Sequence, residues 1–183
     1  MNTRPDTGQM GQPLIRHMVP ADLDSVIRIE ELSFPHPWTR EQFMTELGRE
    51  PVSHCHVIVT GDDVACSDQD MPLMEGSVVG FIMGWLVADE LHITNLAVAP
   101  EARRGGFAAA LLERAIQEAT ELGASWCQLD VRVSNTPARG LYVRYGFKPL
   151  GTRKGYYHNG EDAVVMGKDL SGEDSDTGTG DKV

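Results

Sequence analysis

The chain has 183 residues, 41% hydrophobic and 23% charged, enough for one globular domain that buries its core without disulfide or metal staples and too few for two comfortable ones. Asp and Glu number 27 against 16 Lys and Arg, a formal charge of −11, which argues against a nucleic-acid binder because such a protein needs a basic face to displace counterions. Cys55, Cys66 and Cys127 lack zinc-type spacing and read as free thiols of a reducing compartment; with no signal-peptide or 18-residue apolar run, a cytoplasmic protein without membrane contact or bound metal is expected.

The acidity is concentrated in two places. Residues 61–77 carry Asp62, Asp63, Asp68, Asp70 and Glu75 with no cation, and residues 171–183 carry Glu173, Asp174, Asp176 and Asp181 against Lys182. Both read as solvated segments. The expected organisation is a flexible lead-in over 1–13, one domain over 14–170, and a disordered acidic tail over 171–183.

In chain order, 14–18 reads as a short strand. Residues 22–32 read as a helix, with Leu23, Val26, Ile27, Ile29 and Leu32 near a 3.6 period and Asp22 or Asp24 as its cap. Two prolines, Pro35 and Pro37, forbid helix through Phe34–Trp38, and Thr39 with Gln42 three residues on forms a capping box for a second helix. Strands are expected over 54–60 and 78–87, joined by the acidic connector 61–77, and again over 91–98, stopped by Pro100. A helix follows from Phe107, its stripe of Phe107, Leu111, Ala115, Ala119 and Leu122 ending at Gly123. A strand over 126–133, a helix over 136–145 with Pro137 in its first turn, and closing strands over 147–151 and 163–170 complete the domain. The order is β-α-α-β-β-β-α-β-α-β-β. Strand 91–98, helix 107–122 and strand 126–133 should form a right-handed parallel crossover, inside an α+β fold of one mixed sheet with helices on both faces.

The sharpest local feature is Arg103-Arg104-Gly105-Gly106-Phe107-Ala108, between a strand and an amphipathic helix. Glycines before a helix leave backbone N–H groups uncovered, and these with the helix dipole attract an anion such as a pyrophosphate. Arg103 and Arg104 add charge and bidentate donors. Read alone, the loop serves equally as an anion site or as a solvated surface turn. It is neither a Walker loop nor a Rossmann fingerprint, because Gly-Lys-Ser/Thr and Gly-x-Gly-x-x-Gly are both absent.

Arg103-x-x-Gly106-x-Ala108 resembles the acetyl-CoA signature of the GNAT N-acetyltransferase family. Asn95-Leu96-Ala97-Val98-Ala99-Pro100 is similar to the strand before that signature. Leu129-Asp130-Val131-Arg132-Val133-Ser134-Asn135, with Gly140-Leu141-Tyr142 and Tyr145-Gly146-Phe147, resembles the family's second half. Phe34-Pro35-x-Pro37-Trp38-Thr39 and Tyr156-Tyr157-x-Asn159-Gly160-Glu161-Asp162-Ala163 are similar to its ribosomal-protein alanine N-acetyltransferase branch, the tyrosine pair also to other N-terminal acetyltransferases.

The resemblance, over roughly 14–170, implies a sheet splayed between strands 91–98 and 126–133 with acetyl-CoA as co-substrate in the gap. It implies that backbone groups of Leu96, Ala97 and Val98 hold the pantetheine and acetyl groups, that Arg103, Arg104, Gly105, Gly106, Phe107, Ala108 and Ala109 wrap the pyrophosphate, and that Asn135 bonds the cofactor. It places a general base at Asp130 and a general acid at Tyr142. Asp130 stands where the family pattern has Glu; being a methylene shorter, it is expected to work through an ordered water or to anchor the ammonium. Read from the residues alone, Asp130 is also a strand-end partner of Arg132 or a turn cap, Tyr142 a core tyrosine of an amphipathic helix, and His92 a half-buried strand residue that, with a suitable ordinary pKa, is the alternative base.

Trp38, Tyr156, Tyr157, Glu161 and Asp162 are expected to line the acceptor groove, as aromatic walls and carboxylates for a basic peptide. The leading expectation is transfer of acetyl to an N-terminal alanine of a small-subunit ribosomal protein, by direct attack in a ternary complex, from a monomer or weak oligomer that touches neither nucleic acid nor membrane. Transfer to another N-terminus, a lysine or a small amine is the alternative, and a non-catalytic acetyl-CoA-binding regulator is a third reading.

Overall fold

The computed structural model describes residues 13–49, 51–60 and 76–172; the lead-in over 1–12, most of the acidic connector and the tail from 173 lie outside the described residues. The elements follow the expected order: β1 (Leu14–His17), α1 (Leu23–Ser33), α2 (Arg40–Leu47), β2 (Ser53–Val59), β3 (Val78–Val87), β4 (Glu90–Val98), α3 (Phe107–Glu121), β5 (Trp126–Arg132), α4 (Thr136–Arg144), β6 (Lys148–Arg153) and β7 (Ala163–Asp169). They build one seven-stranded sheet in the order β1-β2-β3-β4-β5-β7-β6. Every neighbouring pair is antiparallel except β4–β5, the crossover that α3 spans.

Side-chain alternation explains the layers. On β3, Phe81 points to one face, where it meets Phe43 of α2 edge-on with ring centroids 5.9 Å apart. The opposite face is set by His56 of β2, paired in register with Ile82 and bonded to Glu118 of α3. So α1 and α2 cover one face and α3 the other. Leu23, Val26, Phe43, Val57, Phe81, Leu111 and Leu112 are fully excluded from solvent at the centre of this sandwich.

The capping box is present. Thr39 Oγ1 accepts from Gln42 N at 3.4 Å, and Thr39 N donates to Gln42 Oε1 at 2.8 Å. The expected aspartate cap of α1 is different: Asp22 stands at the N-cap position but bonds no helix N–H. Its carboxylate takes both arms of Arg16, at 2.6 and 2.7 Å, and Val19 N at 2.8 Å. A short 3-10 turn, Pro20–Asp22, precedes the helix and turns the side chain back toward β1. The two ends of the acidic connector are held together, with Thr60 N donating to Ser77 O and Gly76 N to Thr60 O, each at 3.0 Å.

Candidate active site

The parallel strands β4 and β5 pair only over their first halves, Glu90 to Ile93 against Trp126 to Leu129. Beyond Ile93, β4 still pairs with β3 out to Val98, and β5 still pairs with β7 out to Arg132. A bulge starts the divergence: Ile93 lies opposite Gly84 and Asn95 opposite Met83, so Thr94 is the extra residue, its Oγ1 donating to Met83 O at 3.2 Å. A cavity of about 810 Å³ occupies the gap, lined by residues 93–96 of β4 and 129–132 of β5 and walled by the loop 33–38, the start of α4, and the tyrosines 142, 156 and 157. On the β5 side, the backbone of residues 95–98 has no sheet partner among the described residues, which leaves N–H and C=O groups for an extended ligand.

At the open end of the wedge, the chain passes from β4 through a 3-10 turn, Pro100–Ala102, into the glycine loop and α3. Gly106 is the N-cap with φ +82° and no side-chain cap; the left-handed conformation favours glycine. Gly105 is needed for space, since a Cβ there would stand 2.9 Å from the Phe107 ring. The first bond of α3 runs from Ala110 N to Gly106 O at 3.0 Å, so the N–H groups of Phe107, Ala108 and Ala109 have no acceptor within the helix and point out of its positive end. Such a terminus takes an anion without a lysine.

The two arginines differ. Arg104 is exposed in a left-handed conformation, φ +68°. Arg103 turns back into the protein, its Nε donating to Val98 O at 3.2 Å and its Nη2 to Ser33 Oγ at 3.4 Å. Phe107 is buried in the core, so it offers a ligand only its backbone. Leu96 and Asn135 line the cavity, whereas Ala97, Val98 and the glycine loop lie beyond its lining. Asn135 also caps α4, its Oδ1 accepting from Ala138 N at 3.2 Å.

Asp130 and Tyr142 both line the cavity. Asp130 faces Arg153 of β6, Oδ1 to Nε 3.2 Å, and that oxygen has no hydrogen bond among the described residues. The Arg132 partner envisaged for Asp130 pairs with Glu161 at 2.8 Å instead, and its guanidinium lies 3.7 Å over the Tyr157 ring. Tyr142 is 7% exposed and packs against Phe147, ring centroids 5.7 Å apart. Its hydroxyl bonds no described protein group, and burial raises its pKa, so it stays protonated at neutral pH. Burial pushes the Tyr157 hydroxyl up to about 12.

Three expected site residues fall elsewhere. His92 lies on the closed half of β4, outside the cavity lining, with Nε2 2.9 Å from Glu90 Oε2. Glu161 and Asp162 are also outside the lining. Glu161 accepts from Ser134 N at 2.9 Å and from Arg132 at 2.8 Å, which hold its carboxyl down at about 2. Asp162 accepts from Lys154 at 2.6 Å and Gly155 N at 2.9 Å. Asp162 closes the β6–β7 loop on itself, and Glu161 ties that loop to the end of β5. Trp38, Tyr156 and Tyr157 line the cavity.

Among the cavity residues that the sequence does not single out, Glu30 ties two walls together. Glu30 of α1 is 1% exposed. Its Oε1 accepts from Trp38 N at 3.1 Å, and Asn95 Nδ2 lies 3.2 and 3.3 Å from its two oxygens. No cation pairs with it among the described residues, and burial raises its pKa. It ties the loop carrying Trp38 to β4 just past the bulge. The signal was present: Glu30 stands four residues after Val26 and seven after Leu23, on the stripe that α1 buries.

The sheet thus splays at a bulge, an uncapped glycine-flanked helix start follows the open strand, and a buried tyrosine and a carboxylate share the cavity wall. Residues 23–147 match the acetyltransferase (GNAT) family, and the chain belongs to it; members take their acetyl group from acetyl-CoA. Among curated relatives, it is 39% identical over 153 residues to a provisionally named ribosomal protein bS18-alanine N-acetyltransferase of Bacillus subtilis (strain 168), covering 83% of this chain and 92% of that one. It is 32% identical over 162 residues to an N-alpha-acetyltransferase of Saccharolobus solfataricus, covering 81% and 88%. The crystal structure of the ribosomal-protein-S18-alanine N-acetyltransferase from Escherichia coli superposes with a TM-score of 0.71 at 28% identity, over 89% of this chain and 98% of that one.

Proposed function

We propose that this chain acetylates the α-amino group of an N-terminal alanine on a small-subunit ribosomal protein, taking acetyl from acetyl-CoA in a ternary complex. The observation that carries this reading is the cavity between the diverging strands, with Asp130 and Tyr142 both on its wall. The relatives named for bS18-alanine acetylation support the acceptor.

A peptide α-amine has an ordinary pKa of about 7.7–8.0 and enters mostly as ammonium. Asp130 takes its proton through a water that makes up for the missing methylene, with the Arg153 guanidinium 3.2 Å from its Oδ1. The free amine attacks the thioester carbonyl carbon. A backbone N–H of Leu96 or Ala97 stabilises the oxygen as it gains charge. The C–S bond then breaks, and Tyr142 gives its proton to the departing sulfur. The uncapped N–H groups of α3 and the exposed Arg104 hold the pyrophosphate, and Asn135 bonds the coenzyme. Trp38, Tyr156 and Tyr157 wall the groove in which the peptide end lies.

The test is acetylation, read by mass spectrometry, of a peptide copied from the alanine-starting terminus of the ribosomal protein, against peptides starting with serine or methionine and one with only an internal lysine. Preferred turnover of the alanine peptide, with kcat/KM reduced in Asp130→Asn, is the expected result. Preference for the lysine peptide, or for none, overturns the acceptor; an unchanged Asp130→Asn overturns the base.

A further inference from the structure

Away from the cavity, on the face of the sheet covered by α3, three histidines meet one glutamate. His54 and His56 are two residues apart on β2 and therefore share a face. His17 of β1 lies directly opposite His56 in the antiparallel register, ring centroids 4.6 Å apart. Glu118, from the last half of α3, reaches into this row. Its Oε2 is 2.9 Å from His56 Nε2 and 3.9 Å from His17 Nε2, and its Oε1 is 3.1 Å from His54 Nδ1. None of the four lines the cavity, and the acetyl-transfer chemistry uses none of them.

We propose that His17, His56 and Glu118 form a binding site for a divalent ion of the zinc class. Their ligating atoms all lie within 4.8 Å of one another. A tetrahedral ion with bonds of about 2.0–2.1 Å needs ligand atoms about 3.3 Å apart. The two distances to Glu118 Oε2 straddle that spacing, so a small swing of His17, the most exposed of the group at 68%, closes the shell. Two imidazoles and a carboxylate leave the fourth position to a water on the solvent side, where His17 stands. His54 holds the second carboxylate oxygen and so fixes which oxygen faces the ion, the usual work of an outer-shell partner.

The other ring nitrogens, His54 Nε2 and His56 Nδ1, are buried without a partner among the described residues, so the polar atoms of both rings that have a partner are the ones turned toward Glu118. Arg114 also reaches Glu118 Oε2, at 3.3 Å; its side chain is 40% exposed and has solvent to swing into when the ion arrives. The site would clamp β1, an edge strand held in the sheet by β2 alone, to the helix whose other end bears the glycine loop.

The experiment uses the full chain, stripped by chelator and then titrated with Zn²⁺ alone by calorimetry and with Co²⁺ by visible absorption. The expected result is one equivalent bound with Kd below about 10 µM, tetrahedral cobalt bands, and a melting temperature that rises with zinc. His17→Ala, a surface change on an edge strand, should weaken zinc at least about tenfold and remove the thermal response. His92→Ala and the double variant His36→Ala with His158→Ala should bind as the parent does; the last two rings touch at the cavity mouth, centroids 4.8 Å apart. If the parent lacks a stoichiometric site of that affinity, or if His17→Ala binds within a few-fold of it, the cluster is a buried hydrogen-bonded group and the proposal is wrong.

Discussion

Up to Ile93, β4 has a strand on each side, and Leu91 and Ile93 sink into the core at 1% and 7% exposure. Two residues later the same strand keeps β3 and has lost β5, and Asn95 and Leu96 border the cavity. The two halves differ little in composition. What separates them is one extra residue at Thr94 and the partner withheld beyond it. The closed half carries stability through buried apolar surface, and the open half carries binding through unpaired backbone. A site of this kind is made by subtraction, so damage to either half should read out in a different measurement.

The sharpest way to break that division is Tyr142→Phe. Loss of the acid should lower kcat by about 10²–10⁴-fold. Stability to urea should change by no more than about 0.5 kcal/mol, because the lost hydroxyl has no protein partner; a large loss of stability with normal turnover would make Tyr142 a core residue only. Leu91→Ala, in the closed half and 1% exposed, should do the reverse. It should cost about 2–5 kcal/mol by urea denaturation and leave the KM for acetyl-CoA unchanged where the protein is folded.

Gly106→Ala lies between these extremes. An added Cβ there meets nothing within 4 Å, so only the left-handed backbone is penalised, by about 1–2 kcal/mol. A raised KM for acetyl-CoA at unchanged kcat would tie that backbone to the pyrophosphate. Glu161→Gln should have the smallest effect on turnover, since that carboxylate sits outside the cavity. Its signature is acid stability. Ser134 and Arg132 lower its pKa from the ordinary 4.5 to about 2, so its contribution is present above pH 4.5 and is lost as the pH falls toward 2. The variant's stability should therefore fall less steeply across that window than the parent's; parallel curves would show that the tie from Glu161 to Arg132 and Ser134 adds nothing to stability.

Legibility in the sequence followed the range of the interaction. The element order, the Thr39–Gln42 box and the glycine-flanked start of α3 are local, set by residues a few positions apart, and they stand as read. The splay was reached only through family resemblance, because nothing within β4 says that β5 will part from it. Pairings across the fold were invisible for the same reason. Asp130 meets Arg153 rather than Arg132, and Arg132 takes Glu161, because β7 lies between β5 and β6 and the β6–β7 loop folds back over the sheet. The histidine row depends on the β1–β2 register, which residue spacing from 17 to 56 does not disclose. Glu30 is the intermediate case: its place on the stripe could be seen, but the hydrogen bonds that make burial tolerable could not.

Arg103 has a kinetic consequence. By bonding the last carbonyl of β4 and a serine at the end of α1, its side chain fastens the turn to two elements before any nucleotide arrives. The ordering entropy of the turn is thus met during folding, and the coenzyme encounters a rigid receptor. Capture by collision follows, with an observed rate that climbs linearly with acetyl-CoA concentration and shows no plateau from a slow rearrangement. Cutting the tether with Arg103→Ala should bend that line toward saturation while the main-chain donors themselves remain in place.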